Sequence, residues 1–171
     1  MFPGHFAAGL ALKVIEPKSP TLGLMLGVGF LDLAFGVFVA AGLEGGGFNH
    51  FNTPWSHSLL MAVSWSLLFG ALFLKSGLRV ATVMSAAVMS HWFLDLLSHK
   101  PDMQLWPHSA IELGLGPRFG GLGGWLELLL SVACLGFYVV WATRPGNQRR
   151  RWAVVSLIIA TAYIGEIIVV P

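Results

Sequence analysis

The stretch LRVATVMSAAVMSHWFLDLLSH, residues 78–99, decides the fold. It is apolar enough to cross a membrane as a helix, yet its second half carries His91, Asp95 and His99. A spanning helix needs about 20 mostly apolar residues. Ionisable side chains inside such a helix are energetically costly and by default mark a functional site. This stretch therefore predicts a membrane helix whose outer half belongs to a chemical site.

The composition of the whole chain agrees with a membrane protein. Of its 171 residues, 56% are hydrophobic and only 11% are charged, whereas a soluble domain carries about a quarter charged residues. This balance excludes a soluble enzyme and a nucleic-acid binder. The length fits one domain, residues 1–171. The single cysteine, Cys134, excludes an internal disulfide framework and a zinc ribbon.

Other apolar runs complete the predicted architecture. Together with Leu78–Leu97, they predict an all-α polytopic membrane bundle with five long transmembrane helices. The four further runs are Thr21–Leu43, Leu59–Leu74, Leu122–Ala142 and Trp152–Val170. A shorter N-terminal helix, Phe2–Ile15, precedes them and is separated by Pro17 and Pro20. It either lies on the surface or inserts into the bundle.

The distribution of cations predicts the orientation. One topology leaves only Lys100 and Arg118 outside, as the excess of cytoplasmic Lys and Arg in membrane proteins requires. The eight cations that it puts inside are Lys13, Lys18, Lys75, Arg79, Arg144, Arg149, Arg150 and Arg151. We therefore expect a cytoplasmic membrane protein in which the ends of the helices near His57 and His91 face outside.

Helical spacing connects the polar residues of the decisive stretch. His91, Asp95 and His99 lie four residues apart and share one helix face. His91 and His99 are about 12 Å apart along the axis, too far for one ion, so two ions with Asp95 between them are expected. Asp32 and His57 lie in or at neighbouring apolar runs. No lysine or arginine lies within these helices, which leaves protons or a metal cation to neutralise the carboxylates.

Imidazole and carboxylate groups without sulfur are the ligands of zinc, iron or manganese. Zinc is the preferred assignment, with two or more ions expected. His108 and Glu112 repeat the spacing of four and join the predicted ligands if their stretch is helical. His5 joins them if the N-terminal helix inserts with its N-terminus toward the outside, because 14 helical residues rise about 21 Å.

Several segments resemble the YdjM-like membrane-bound metal-dependent hydrolases, over roughly residues 1–125. They are HFAAGLALK at His5, FLDL at Asp32, WSHSLL at His57, and SHWFLDLLSHKPDMQLWP from Ser90 to Pro107. The most specific are the (T/S)HSLL and HxxxD elements. The resemblance implies a small bacterial multi-pass membrane protein with a metal site that includes His5, and a hydrolase activity.

A second resemblance concerns the order of the ligands. It is similar to that of the soluble zinc-dependent phospholipase C and P1-nuclease families, which are all-helical and cleave phosphoesters with clustered zinc ions. In this chain the order is His5, Asp32, His57, His91, Asp95, His99, His108 and Glu112. The likeness implies phosphoester hydrolysis.

Together these features predict a metal-dependent hydrolase at the outer membrane face that cleaves a phosphoester of a lipid or lipid-linked substrate. Asp32 and Asp95 are the candidate catalytic residues, with Asp32 a ligand or the general base and Asp95 a ligand. One alternative is a metal-ion or proton transporter, since His and Asp also line relays. The other is a non-catalytic subunit in which the metal staples the bundle. The expected partners are membrane lipids, with no nucleic acid.

Overall fold

The computed structural model describes residues 2–47, 50–116 and 122–144. Within them the chain forms six α-helices and two short antiparallel hairpins. The helices are α1 (Phe2–Ile15), α2 (Thr21–Val28), α3 (Phe30–Ala40), α4 (Leu59–Ala71), α5 (Leu78–Ser98) and α6 (Leu122–Ala142). The strands are β1 (Gly45–Gly47), β2 (His50–Asn52), β3 (Met103–Gln104) and β4 (Glu112–Leu113). A short 3-10 helix, Leu74–Ser76, joins α4 to α5.

Helix α5 lies at the centre of the bundle and packs against all five other helices. Its buried face carries Met84, Ala87 and Val88, which pack with Leu24 and Val28 of α2 in the main apolar core. Helix α1 packs on α2 and α5 and shares a second apolar cluster with α6. The N-terminal helix is therefore part of the bundle.

Two glycines permit the close approach of helices to α5. A side chain at Gly27 would bring a Cβ within 3.0 Å of the Cβ of Ala87. At Gly70 a Cβ would lie 1.9 Å from Ser85 Oγ and 2.7 Å from the carbonyl oxygen of Ala81. Small residues at such interfaces let the backbones of membrane helices pack closely.

The prediction of five long transmembrane helices is wrong. In the described part, only α5 is by itself long and apolar enough to cross a membrane; α2 and α3 add a second span only if the pair is counted as one. The run Thr21–Leu43 bends by 53° at Gly29. The run Leu59–Leu74 forms a helix of only 13 residues. A helix can be shorter than the apolar run that predicts it, because a glycine or a turn can end the helix within the run. The run Trp152–Val170 lies outside the described residues.

The two ends of α5 differ in chemistry. Near its N-terminus, the guanidinium of Arg79 pairs with Glu16 at 3.1 Å, and the Lys13 ammonium donates to the carbonyl oxygens of Pro17 and Ser19. These bonds satisfy carbonyls of the turn that follows α1. The C-terminal end of α5 carries His91, Asp95 and His99 instead. The bundle thus has a cationic end and a histidine–carboxylate end.

Candidate metal centre

Five of the predicted ligands converge at the histidine–carboxylate end. His5 comes from α1, Asp32 from α3, His57 from the turn before α4, and His91 and Asp95 from α5. The Asp95 carboxylate is central: its Oδ1 lies 3.2 Å from His5 Nε2, and its Oδ2 lies 3.1 Å from His91 Nε2 and 3.5 Å from His57 Nε2. Helices far apart in sequence thereby present their ligand atoms to one point.

Asp32 closes the cluster from the opposite side. Its Oδ1 lies 3.6 Å from His57 Nε2 and 3.6 Å from His91 Nε2. Two groups of three have ligand atoms that all lie within 4.8 Å of one another, namely His5, His91 and Asp95, and Asp32, His57 and His91. Around zinc with bonds of about 2.1 Å, tetrahedral ligand atoms are about 3.4 Å apart. The imidazole–carboxylate distances of 3.1–3.6 Å are close to that spacing, so the residues fit a divalent metal ion.

The hydrogen bonding of His91 explains why a cation belongs here. Its Nδ1 lies 2.6 Å from the carbonyl oxygen of Val28, which accepts only, so Nδ1 carries the hydrogen. In the neutral ring Nε2 is then a bare lone pair that faces the carboxylates of Asp32 and Asp95. The side chain is 1% exposed, and Nε2 makes no hydrogen bond despite its short distance to Asp95. Buried acceptors that face one another are stabilised by a proton or a metal between them.

His57 also carries its hydrogen on Nδ1, and a side-chain hydroxyl rather than a backbone carbonyl accepts it. Ser56 Oγ donates to Glu44 Oε2 at 2.7 Å and lies 2.7 Å from His57 Nδ1. Because the only hydroxyl hydrogen is used on Glu44, Ser56 Oγ accepts from His57 Nδ1. His57 Nε2 is therefore also a lone pair directed at the cluster. A ligating histidine typically donates through its other nitrogen in this way.

The turn that carries His57 is fixed by indole groups on two helices. Trp92 Nε1 on α5 donates to the His57 carbonyl at 2.9 Å, and Trp65 Nε1 on α4 donates to the Trp55 carbonyl at 2.8 Å. Ser58 Oγ donates to the carbonyl of Pro54 at 2.7 Å. These bonds satisfy backbone acceptors in a buried turn and hold the imidazole in place.

His99 lies at the edge of the cluster, just after α5. Its Nε2 is 4.0 Å from Asp95 Oδ1, and its Nδ1 is 3.5 Å from Asp102 Oδ1. The Asp102 carboxylate beside it raises the pKa of His99 above its ordinary value, against the effect of partial burial. The structure thus brings His99 next to the central carboxylate, on the side away from His57.

His108 and Glu112 require a correction. Their predicted pairing needed a helix, but His108 lies in a turn with φ of 63° and Glu112 lies in β4. The His108 ring packs edge-on against Trp55 at 5.7 Å, and the side chains of His108 and Glu112 are exposed. Neither belongs to the ligand groups found in the described residues. The reason is that the hairpin β3–β4 replaces the helix, so a spacing of four no longer puts two side chains on one face.

Glu44 accepts hydrogen bonds from the turn that carries His57, and sequence reasoning missed this contact. Glu44 belongs to the connection that leads to β1 and is separated from Ser56 by a hairpin, so no helical spacing connects the two. The available signal was an acidic residue at the end of an apolar run, in a chain with eight acidic residues in all.

The cluster opens beside Asp32. The other four members are almost completely buried, whereas the Asp32 side chain is 40% exposed. A cavity of about 280 Å³ adjoins it at the bend between α2 and α3. Its remaining lining is apolar and consists of Phe6, Met25, Leu26, Gly29 and Leu33.

Comparison with known proteins adds the family. The family model described as YdjM inner membrane protein matches residues 3–170, nearly the whole chain. The chain belongs to the YdjM inner membrane protein family. Membership of the YdjM family points to the inner membrane as its location. No curated protein and no solved structure matches the chain. In this YdjM protein, buried histidine and aspartate groups can hold a metal ion.

Proposed function

We propose that this protein is a metal-dependent hydrolase of the inner membrane that cleaves a phosphoester in a lipid or lipid-linked substrate. The observation that carries the proposal is the convergence of buried imidazole lone pairs and carboxylates with no lysine or arginine among them. Such a cluster is stable when it binds a cation. Its opening beside an apolar cavity supports a site that acts on a substrate.

The residues divide into those that hold the ion and one that faces the opening. His5, His57, His91 and Asp95 are assigned to the ion, because all four are buried and each belongs to at least one of the two ligand groups. A divalent ion bound there would act as a Lewis acid, and it would lower the pKa of a water bound to it to near neutrality. Asp32 combines contact with the cluster and exposure to the cavity. It is therefore the group placed to accept a proton from the attacking water, within reach of the substrate.

Zinc is the proposed metal, because the ligands are imidazole and carboxylate and the ligand separations fit short bonds. Manganese and iron take the same ligand types. The two ligand groups share His91, whose single Nε2 lone pair binds one ion at a time. A second ion would be held by Asp95 together with His99, whose Nε2 lies 4.0 Å from Asp95 Oδ1.

The cavity supports a lipid-like substrate. Its walls are apolar except for Asp32, and the side chains of Leu26 and Leu33 at its border are exposed. Large exposed apolar side chains also cover α4 and α6, as expected for helices in contact with hydrocarbon. A hydrocarbon chain in this cavity would leave its phosphoester at the Asp32 carboxylate. This arrangement lets a substrate reach the cluster from the membrane.

The proposal is tested with protein purified in detergent and loaded with Zn²⁺ or Mn²⁺. Lipid phosphomonoesters and phosphodiesters in mixed micelles are the substrates, and released phosphate or head group is measured. Asp32→Asn should lower the rate by about 100-fold or more, as removal of a general base does. Glu16→Gln is the matched control, since it removes a buried carboxylate at the cationic end. Absence of hydrolysis by every metal-loaded form, or an unchanged rate in Asp32→Asn, would contradict it.

A further inference from the structure

We infer that Glu44 is a positioning residue that sets the tautomer of His57 through the hydroxyl of Ser56, and so keeps His57 Nε2 available to a cation. The inference rests on the proposed function only in treating His57 as a metal ligand. The hydrogen-bond chain itself runs Glu44, Ser56, His57, and each link is 2.7 Å long.

The direction of the chain follows from which atoms carry hydrogens. Glu44 is 7% exposed, and its Oε2 can only accept, so the Ser56 hydroxyl donates to it. Ser56 Oγ then has only lone pairs to offer, and it receives the hydrogen of His57 Nδ1. The neutral imidazole has one hydrogen, which leaves Nε2 bare.

The geometry on the other side of the ring agrees with this assignment. His57 Nε2 is 3.6 Å from Asp32 Oδ1 and 3.5 Å from Asp95 Oδ2. A donating Nε2–H would bring at least one of these oxygens to about 2.9 Å. The longer distances are those of ligand atoms arranged around a common ion.

Glu44 also has a plain structural role, and that role uses its other oxygen. Oε1 accepts from the backbone N–H groups of Trp55 and Ser56, at 2.6 and 2.7 Å. It therefore caps the turn that carries His57. Because capping uses Oε1 and the relay uses Oε2, the two roles can be separated by a substitution that changes one position only.

Glu44→Gln is that substitution. The amide oxygen keeps the two backbone hydrogen bonds, whereas the NH₂ group replaces Oε2 and donates to Ser56 Oγ. The opposite orientation of the amide would keep the hydrogen bond from Ser56 Oγ but lose those from the backbone N–H groups of Trp55 and Ser56, so it is less favourable. Ser56 Oγ accepts from this amide, so its own hydrogen is released from Glu44 and turns toward His57 Nδ1, its other partner at 2.7 Å. This reversal moves the imidazole hydrogen to Nε2, where it blocks a metal.

Ser56→Ala is the matched comparison. It removes the relay and leaves His57 Nδ1 without this partner, but it forces no hydrogen onto Nε2. A purely structural role predicts that the isosteric Glu44→Gln variant is the milder of the two. The relay predicts the reverse order for metal affinity, although Glu44→Gln retains the capping bonds and should keep a melting temperature close to that of the wild type.

The test has two readouts on full-length protein. Nitrogen-15 NMR of the metal-free protein, at alkaline pH where the imidazole is neutral, reports which nitrogen of His57 carries the hydrogen. Competition titration with a chromophoric chelator reports Zn²⁺ affinity. We expect hydrogen on Nδ1 in the wild type and on Nε2 in Glu44→Gln, with affinity lowered about 10–100-fold, as is typical of outer-shell partners. The Zn²⁺ affinity of Ser56→Ala should fall by less than that of Glu44→Gln.

Hydrogen on Nδ1 in both proteins, or a larger loss of affinity in Ser56→Ala than in Glu44→Gln, would overturn the inference. The tautomer readout needs no metal and no turnover. A wild-type protein that has the expected tautomer but does not bind Zn²⁺ or hydrolyse a phosphoester would therefore sink the proposed function alone. Hydrolysis with the wrong tautomer would sink the relay alone.

Discussion

At the scale of single residues, the centre is a set of acceptors that face one another. His91 and His57 use their Nδ1 hydrogens on Val28 and Ser56, respectively, so that both Nε2 atoms meet the carboxylates as lone pairs. Buried polar atoms in such an arrangement are costly unless a cation or a proton lies between them. A bound cation would therefore stabilise the cluster, and removal of any one ligand should weaken the binding of that cation.

His5 gives the first test of this dependence. His5→Ala removes an imidazole whose Nε2 lies 3.2 Å from Asp95 Oδ1. It should lower Zn²⁺ affinity about as much as His57→Ala, and by more than the about 10–100-fold typical of outer-shell partners. The measurement is a chelator competition titration.

The control for His5 is His108→Ala, which removes an exposed imidazole that packs on Trp55. It should leave the affinity unchanged. Equal Zn²⁺ affinity in His5→Ala and the wild type would show that α1 contributes no ligand. A loss of affinity in His108→Ala would show that His108 is a ligand, as the sequence suggested.

His99 gives a test that depends on pH. Asp102 raises the pKa of His99, so Asp102→Asn should lower it in the metal-free protein, as measured by an NMR titration. Because the folded pKa is raised, stabilisation by this contact is present below the ordinary pKa of histidine and is lost as the pH rises through the raised value. The effect on stability should be small, since the pair is partly exposed. An unchanged pKa would contradict the assigned contact.

Much of the site could be predicted from residue types and spacing. The pair His91 and Asp95 follows from a helix face, and Asp32 and His57 follow from the cost of polar groups in apolar runs. Glu44 could not be predicted, because its contact with Ser56 depends on a hairpin that brings separate segments together. His108 and Glu112 failed because spacing predicts proximity only within a helix.

At the scale of elements, the runs Thr21–Leu43 and Leu59–Leu74 overestimated their helices, whereas Leu78–Leu97 and Leu122–Ala142 agree with α5 and α6. Gly29 divides the first run, and the bend of 53° there creates the cavity beside Asp32. Hydropathy reports burial or contact with lipid along a run, but it carries no information on where the backbone bends. The sequence therefore predicted a helical bundle, and it could not predict where the helices of the first two runs end.

Close packing of α4 on α5 gives a prediction at this scale. In Gly70→Ala the new Cβ would overlap Ser85 Oγ at 1.9 Å and the Ala81 carbonyl at 2.7 Å, so the helices must separate. Overpacking of this kind costs about 1–3 kcal/mol, and thermal unfolding in detergent should show a lower midpoint. Gly36→Ala is the control, because its Cβ would meet nothing within 4 Å. Equal midpoints for the two variants would contradict the packing.

The elements also bear on the transporter alternative. Below the cluster, toward the cationic end, apolar side chains such as Leu24, Met84 and Val88 form most of the described core, and Ser19 and Ser66 are buried polar side chains. A conduit for ions or protons would need polar groups along that path. The one-sided placement of the histidines and carboxylates favours a site over a pathway.

At the scale of the whole molecule, the lysines and arginines of the described helices and the histidine–carboxylate cluster lie at opposite ends of α5. Lys13, Lys18, Lys75 and Arg79 belong to the end remote from the histidines, and the YdjM family is one of the inner membrane. The excess of cytoplasmic Lys and Arg in membrane proteins then predicts that the cluster faces outside.

Cysteine labelling tests this orientation in a Cys134→Ser background. Asn52→Cys lies on β2, near the turn of His57, and Lys75→Cys lies beside the start of α5; both positions are exposed. A membrane-impermeant thiol reagent added to intact cells should modify Asn52→Cys only. Modification of both positions, or of Lys75→Cys alone, would contradict an outward-facing site.

The central claim is that the buried cluster binds a divalent metal ion. Element-specific metal analysis of the detergent-purified protein, with the wild type compared with His91→Ala, tests it most directly, because both ligand groups contain His91. The account predicts at least one zinc, manganese or iron ion per wild-type chain and its loss in a folded His91→Ala protein. A wild-type protein without stoichiometric metal, or a His91→Ala protein that retains it in full, would contradict the claim.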